Sequence, residues 1–190
     1  MKDGIWTLRQ YYSELDVNFL ETVNLKEDRQ MFYPYRDFFT MNGMEICFKY
    51  KKRLQDQKLL FLVDAVNAKE KTMNEGNIIT TTQLLIKFTK NYGDEAHHFC
   101  HSVGIAPKLF AVNPLAGGWK IIAMEYLLPE QFVTVHEALS PPDTTKSNRL
   151  LELAKNSVSL LHNAGYVHGD VCTSNLMISN GGDKIMVIDF

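Results

Sequence analysis

The sequence predicts an α+β fold with a mostly antiparallel sheet in its N-terminal half. Three observations carry that prediction. Strand-like apolar patterning runs through residues 44–125 with one helical interruption, helical periodicity dominates much of the remainder, and a short alternating hairpin returns near the end. With 190 residues, 45% apolar and 22% charged, the chain has the composition of a globular protein with a real core.

Each element has a local reason. Residues 1–40 are dense in aromatics, and Leu8, Tyr12, Leu15 and Phe19 recur at helical spacing until Pro34 breaks the pattern. Ile46, Phe48 and Tyr50 alternate with Glu45, Cys47 and Lys49, which is a half-buried strand. Residues 55–57 read as a turn, 58–66 as an apolar strand, 72–77 as a polar loop and 78–89 as a long strand rich in β-branched residues. A helix is expected over 93–103, with Asp94 and Glu95 in its first turn and Gly104 and Pro107 closing it. Residues 108–112 and 119–125 form a hairpin, and 126–130 a linker. Pro141-Pro142 separates a short helix from a long one over 144–163, with Leu150, Leu151, Ala154, Val158 and Leu161 on one face and Gly165 at its end. Residues 176–178 and 185–188 pair around Asn180-Gly181-Gly182.

Several function classes are excluded by composition. No apolar run exceeds five residues (59–63), so no membrane-spanning helix is expected, and the polar N-terminus lacks the apolar core of a signal peptide. A formal net charge of −2 argues against a generic nucleic-acid binder. Cys47, Cys100 and Cys172 form no CxxC pair and read as reduced, small buried hydrophobes of a cytoplasmic or nuclear protein. His97 and His101 share a helix face at i, i+4. Without a clear third ligand, a helix-surface reading is preferred to a metal site.

The chemistry concentrates at His168-Gly169-Asp170-Val171-Cys172-Thr173-Ser174-Asn175 and at Ile188-Asp189-Phe190. A carboxylate at Asp170 can take a proton from an acceptor hydroxyl. The amide oxygen of Asn175 and the carboxylate of Asp189 are hard oxygen donors suited to Mg²⁺, and the intervening hairpin can bring them together. Lys87, inside an apolar strand, needs an anionic partner, and Glu95 on the next helix is the expected one. His168 reads as a structural residue bonding nearby backbone, and Trp119 as core.

These motifs resemble the protein-kinase-like superfamily over about residues 58–190. His168-Gly169-Asp170 with Asn175, and Ile188-Asp189-Phe190, look like its catalytic loop and metal-binding motif. Lys87 and Glu95 match its strand lysine and helix glutamate, and Glu125, Tyr126 and Leu127 look like the hinge that meets adenine. The segments at 92–97, 104–109, 117–119 and 165–170 are similar to fungal kinase-like proteins.

The resemblance implies a two-lobed fold: an N-terminal extension with the first strand or strands (1–57), a sheet lobe with one helix (58–125), a hinge (126–130) and an incomplete, mainly helical lobe (131–190). It implies ATP and Mg²⁺ as cofactors and a hydroxyl acceptor, protein or small molecule. The roles implied are Asp170, Lys87 and Glu95 in catalysis, Lys87, Glu125, Tyr126 and Leu127 at the nucleotide, and Asn175 and Asp189 at the metal. No nucleic-acid or membrane partner is expected.

Departures from the family's pattern shape the expectation. Gly169 stands where typical protein kinases carry Arg, so activation by phosphorylation is not expected. Residues 58–80 contain only Gly76, so no glycine-rich phosphate loop is expected. The later elements of the second lobe are absent from the 190 residues, which leaves the long helix with an exposed apolar face open to a protein partner. The competing reading is a catalytically inactive pseudokinase or fragment that binds nucleotide or protein.

Overall fold

The computed structural model describes residues 33–55, 58–66, 81–141 and 144–190. The expected helix around Leu8–Phe19 and the loop at 72–77 lie outside these residues. Residues 1–36 and 37–190 form two separate units, and everything below concerns the second.

Six strands form one antiparallel sheet: β1 (Phe38–Met41), β2 (Met44–Arg53), β3 (Leu60–Val66), β4 (Thr81–Thr89), β5 (Leu109–Pro114) and β6 (Lys120–Glu125), in the order β1-β2-β3-β4-β6-β5. β1 and β2 turn through Asn42-Gly43, both at positive φ, as a tight hairpin requires. β1 and β2 thus belong to the same sheet as β3, β4, β5 and β6.

The two edge strands meet. Asn113 on β5 accepts from the Thr40 N–H at 2.7 Å and donates to the Thr40 carbonyl at 3.1 Å. One side chain thus gives edge strand β1 the donor and acceptor that a further strand would supply. Inside the curl lie Phe39, Phe48, Phe61 and Phe88, all buried. Phe48, Tyr50, Phe61 and Phe88 meet edge to face in succession, with centroids 5.1–6.1 Å apart.

β4 alternates Leu84, Ile86 and Phe88 into the curl with Leu85 and Lys87 on the outer face. Its partner β6 is buried on both faces from Ile121 to Met124. Lys87 sits opposite Ile122 on the outer side. The sheet's register, not local sequence, therefore aims Lys87 at the second half of the molecule.

Helix α1 (Asp94–Ser102) follows β4. It ends in a Schellman turn, with Gly104 at φ +78 and the Ile105 N–H bonded to the Cys100 carbonyl. The second half contains β7 (Phe132–Thr134), α2 (Val135–Ala138), α3 (Thr144–Asn163), β8 (Leu176–Ser179) and β9 (Ile185–Val187). α3 closes with the same turn at Gly165, whose φ is +84.

β7 was not expected. Its three residues are too short to show a period, and they become a strand by pairing with β8. The apolar face of α3 is corrected in part. Leu150 and Leu161 are buried and Leu153 and Ala154 pack against the core, but Leu151 is exposed, as is Leu160. Among the described residues no helix is long and apolar enough to cross a membrane. All three cysteines are free thiols, but the expected burial holds for Cys100 alone, since Cys47 and Cys172 are exposed.

Candidate functional site

A cleft of about 590 Å³ opens between the outer face of the sheet and the β8–β9 hairpin. That volume suits a ligand of nucleotide size. Leu54, Leu60, Met124, Leu127, Met177 and Ile188 give it aliphatic walls, while Lys58, Lys87, Asn175 and Asp189 bring polar groups to it.

Asp189 is the centre of the polar group. Lys58 and Lys87 each donate to one of its carboxylate oxygens. Burial works against its charge, but the hydrogen bonds and charges of the two ammonium groups prevail and hold the carboxyl below the ordinary aspartate range. Its backbone has φ +69. An aspartate there carries torsional strain, which persists only where neighbouring contacts enforce it.

Phe190 supplies that enforcement. It packs against three separate buried clusters: the α3–β8–β9 core, the group around Tyr92 and Ile122, and the group around Ala96 and Leu161. Its ring stacks on His97 at 4.5 Å and meets His168 edge-on at 5.1 Å. His168 Nε2 donates to the Ile188 carbonyl at 2.9 Å, the structural role expected of it.

His97 corrects the helix-surface expectation, since it is 1% exposed. Its Nε2 bonds the Pro107 carbonyl at 2.8 Å and its Nδ1 meets the Tyr92 hydroxyl. The carbonyl can only accept, so Nε2 carries the proton and Tyr92 donates to Nδ1. Burial dominates the ring's titration and lowers its pKa to about 4, against the raising effect of the Pro107 carbonyl. Burial likewise pushes the Tyr92 hydroxyl well above its usual range, with help from Asp189 and Asp94. Among the described residues no group of three or more His, Cys, Asp or Glu side chains could hold a metal.

The expected Lys87–Glu95 pair does not form. Glu95 is exposed on the first turn of α1, and the face that α1 turns inward carries Ala96, His97 and Cys100. Lys87 reaches Asp189 instead and lies 5.2 Å from the Tyr92 ring. Asp94 pairs with Lys120 at 3.7 Å.

Asp170 and Asn175 are brought together as a unit. Asn175 is buried and its amide donates to both the backbone carbonyl and a carboxylate oxygen of Asp170, at 3.0 and 2.8 Å. Its own carbonyl accepts from the Ile188 N–H at 3.0 Å, which ties this loop to the strand leading to Asp189. Among the described residues the amide oxygen of Asn175 accepts no hydrogen bond. Gly169 has φ +80, so an arginine there would be strained.

At the end of β6, the Glu125 side chain accepts from the Lys108 N–H at 2.9 Å and the Glu125 N–H bonds the Lys108 carbonyl. The N–H and C=O groups of Tyr126 and Leu127 make no hydrogen bond among the described residues, and both residues line the cleft.

A loop from the sheet also lines the cleft. It is part of the β2–β3 connection, which contributes Leu54, Gln55, Lys58 and Leu59. It contains no glycine. Lys58 was missed as a site residue. Its only signal is a two-residue offset from Leu60, which lies opposite Lys87. Trp119, expected in the core, is partly exposed and lines the cleft with Lys90 over its ring.

Comparison with known proteins agrees with this architecture. The solved structure of the Cydia pomonella granulovirus kinase PK-1 superposes with a TM-score of 0.52 at 15% identity, covering 75% of this chain and 50% of that one. The fold is protein-kinase-like. In sequence the chain is 29% identical over 140 residues to the KEOPS complex subunit Bud32 of Pyrococcus abyssi, covering 74% of this chain and 52% of Bud32. The chain thus spans about half the length of each. No family model matches it.

Proposed function

We propose that the protein is a Mg·ATP-dependent phosphotransferase of the protein-kinase-like superfamily. The observation that carries this reading is the convergence of Lys87, Asp189, Asn175 and the backbone of Tyr126 and Leu127, unpaired among the described residues, on one aliphatic-walled cleft.

The adenine ring would lie between the aliphatic walls, with Tyr126 and Leu127 offering backbone donors and acceptors. The donor set fits Mg²⁺, because Asp189 and Asn175 present hard oxygens. Bound there, the metal would neutralise phosphate charge. Lys87 would bind phosphate once released from Asp189. Asp170, oriented by Asn175, would take the acceptor's proton as its oxygen bonds to the γ-phosphorus. The bond from that phosphorus to the bridging oxygen breaks, and ADP departs with the electron pair.

The acceptor is a hydroxyl of a protein or small molecule. Leu151 and Leu160 offer a surface for a protein partner, and the free cysteines suit a reducing compartment, cytoplasmic or nuclear.

Calorimetric titration with Mg·ATP tests the reading. Binding is expected in the native chain and its loss in Asp189→Ala. Phosphoryl transfer is expected to disappear in Asp170→Ala, and native-like transfer by that variant would overturn the assignment. A second reading, nucleotide binding without turnover, is favoured by the solvent-exposed Glu95 and by Lys87 held on Asp189. Binding with no transfer to any acceptor would select it.

A further inference from the structure

The structure assigns Lys58 as a second phosphate-binding cation, one that takes over the work of the absent glycine-rich loop. The inference rests on the nucleotide reading above and deepens it.

Glycine-rich loops hold phosphates with backbone N–H groups, because residues without a Cβ reach positive φ and close approach at little cost. The β2–β3 connection, Leu54-Gln55-Asp56-Gln57-Lys58-Leu59, has no such residue. Two of its carbonyls, those of Gln55 and Lys58, accept from Arg53 Nε at 3.1 and 3.2 Å. The Leu54 N–H bonds the Leu60 carbonyl at 2.9 Å. These bonds fix where the Lys58 side chain departs from the backbone.

Strand register supplies the direction. Leu60 lies opposite Lys87, and the Phe88 N–H bonds the Leu59 carbonyl, so pairing continues past the end of β3. Lys58, two residues before Leu60, falls on the same face as Lys87 and diagonal to it. Both ammonium groups reach the cleft, where they share the Asp189 carboxylate.

Two like charges at adjacent positions of one sheet face repel unless an anion lies between them. Here one carboxylate serves two ammonium groups, leaving a local excess of one positive charge. When Asp189 turns to a metal ion, Lys58 loses its carboxylate partner and Lys87 keeps only the Phe190 carbonyl, at 3.5 Å. A polyphosphate in the same cleft supplies the replacement anion, with oxygens enough for both. Lys58 then adds side-chain charge where a glycine loop would add backbone dipoles.

Calorimetry separates this role from a simple latch on Asp189. The native chain, Lys58→Met, Lys58→Gln and Lys58→Arg are titrated with Mg·ATP, Mg·ADP and adenosine. Lys58 is 45% exposed, so these variants are expected to fold, as checked by circular dichroism melts. Loss of one charged contact should weaken Mg·ATP binding roughly 10- to 100-fold in the Met and Gln variants. Adenosine binding should be unchanged, and Lys58→Arg should recover part of the loss. Undiminished or tighter Mg·ATP binding by folded Met and Gln variants would overturn the assignment and leave the nucleotide reading intact. Equal loss for adenosine would also overturn it. Failure of the native chain to bind any of the three ligands would overturn the nucleotide reading, and Lys58 with it.

Discussion

The two sides of the cleft are held in different ways. The floor, from His168 to Asn175 and from Ile188 to Phe190, is over-determined. The His168 ring, the Asn175 amide and the Asn175 backbone each bond it, and Phe190 joins three buried clusters. The roof is a loop pinned by Arg53 at an exposed position. A site that must hold a strained aspartate at φ +69 needs the first kind of support. A loop that must exchange one anion for another benefits from the second.

Removing Phe190 should break the floor most severely. Phe190→Ala should cost about 3 kcal/mol in urea unfolding, the lower end for an aromatic because the ring is only partly buried. It should also weaken Mg·ATP binding, since the enforced conformation of Asp189 goes with it. Retained binding by a destabilised Phe190→Ala chain would show that Asp189 is held by the lysines alone.

His97 sharpens the comparison through pH. Its pKa is about 4 in the folded chain and about 6.5 when unfolded, so below pH 6.5 the unfolded chain binds a proton that the folded chain refuses. Stability should therefore fall as pH drops from about 6.5 to 4, by at most about 3 kcal/mol. Asp189 acts in the next window. Its lowered pKa gives stability that is present above the unfolded value and lost as pH falls through the folded one. Melting temperatures from pH 7 to 4 should decline less steeply in His97→Phe than in the native chain. Parallel slopes would move the acid sensitivity elsewhere.

Gly169→Ala should cost about 1–2 kcal/mol from backbone torsion alone, because nothing beyond its two chain neighbours lies within 4 Å of the added methyl group. The smallest effect belongs to the roof. Arg53→Ala should change stability by less than about 1 kcal/mol, as expected of exposed hydrogen bonds. It should nonetheless lower Mg·ATP affinity by freeing Lys58, which thermal melts and calorimetry on the same variant would read separately.

Much of this was legible in the chain. Strands β2, β4 and β6, the long helix Thr144–Asn163 and the β8–β9 hairpin follow from periodicity and turn residues, because they are local patterns. Both glycines expected to end helices do so at positive φ. The residues brought to the cleft, Lys87, Asn175 and Asp189, were expected from residue type and spacing. Asp170 lies beside it through Asn175.

What sequence could not supply was partnership. Local order assigned Lys87 to Glu95, because the two are near in the chain and opposite in charge. The structure pairs it with Asp189, 102 positions away, because the sheet's register points Lys87 across the cleft while α1 turns Glu95 to solvent. His97 looked like one of several surface histidines, and the tertiary packing of Phe190, Tyr92 and Pro107 around it buried it. Lys58 looked like the first residue of a strand. The sequence by itself determined most of the elements, their order and the chemical types in the cleft, since these depend on neighbours a few positions apart, while β7 became a strand only by pairing with β8. The tertiary structure alone decided which charges share an anion and which aromatic rings stack, since those contacts join residues that nothing in the local chain relates.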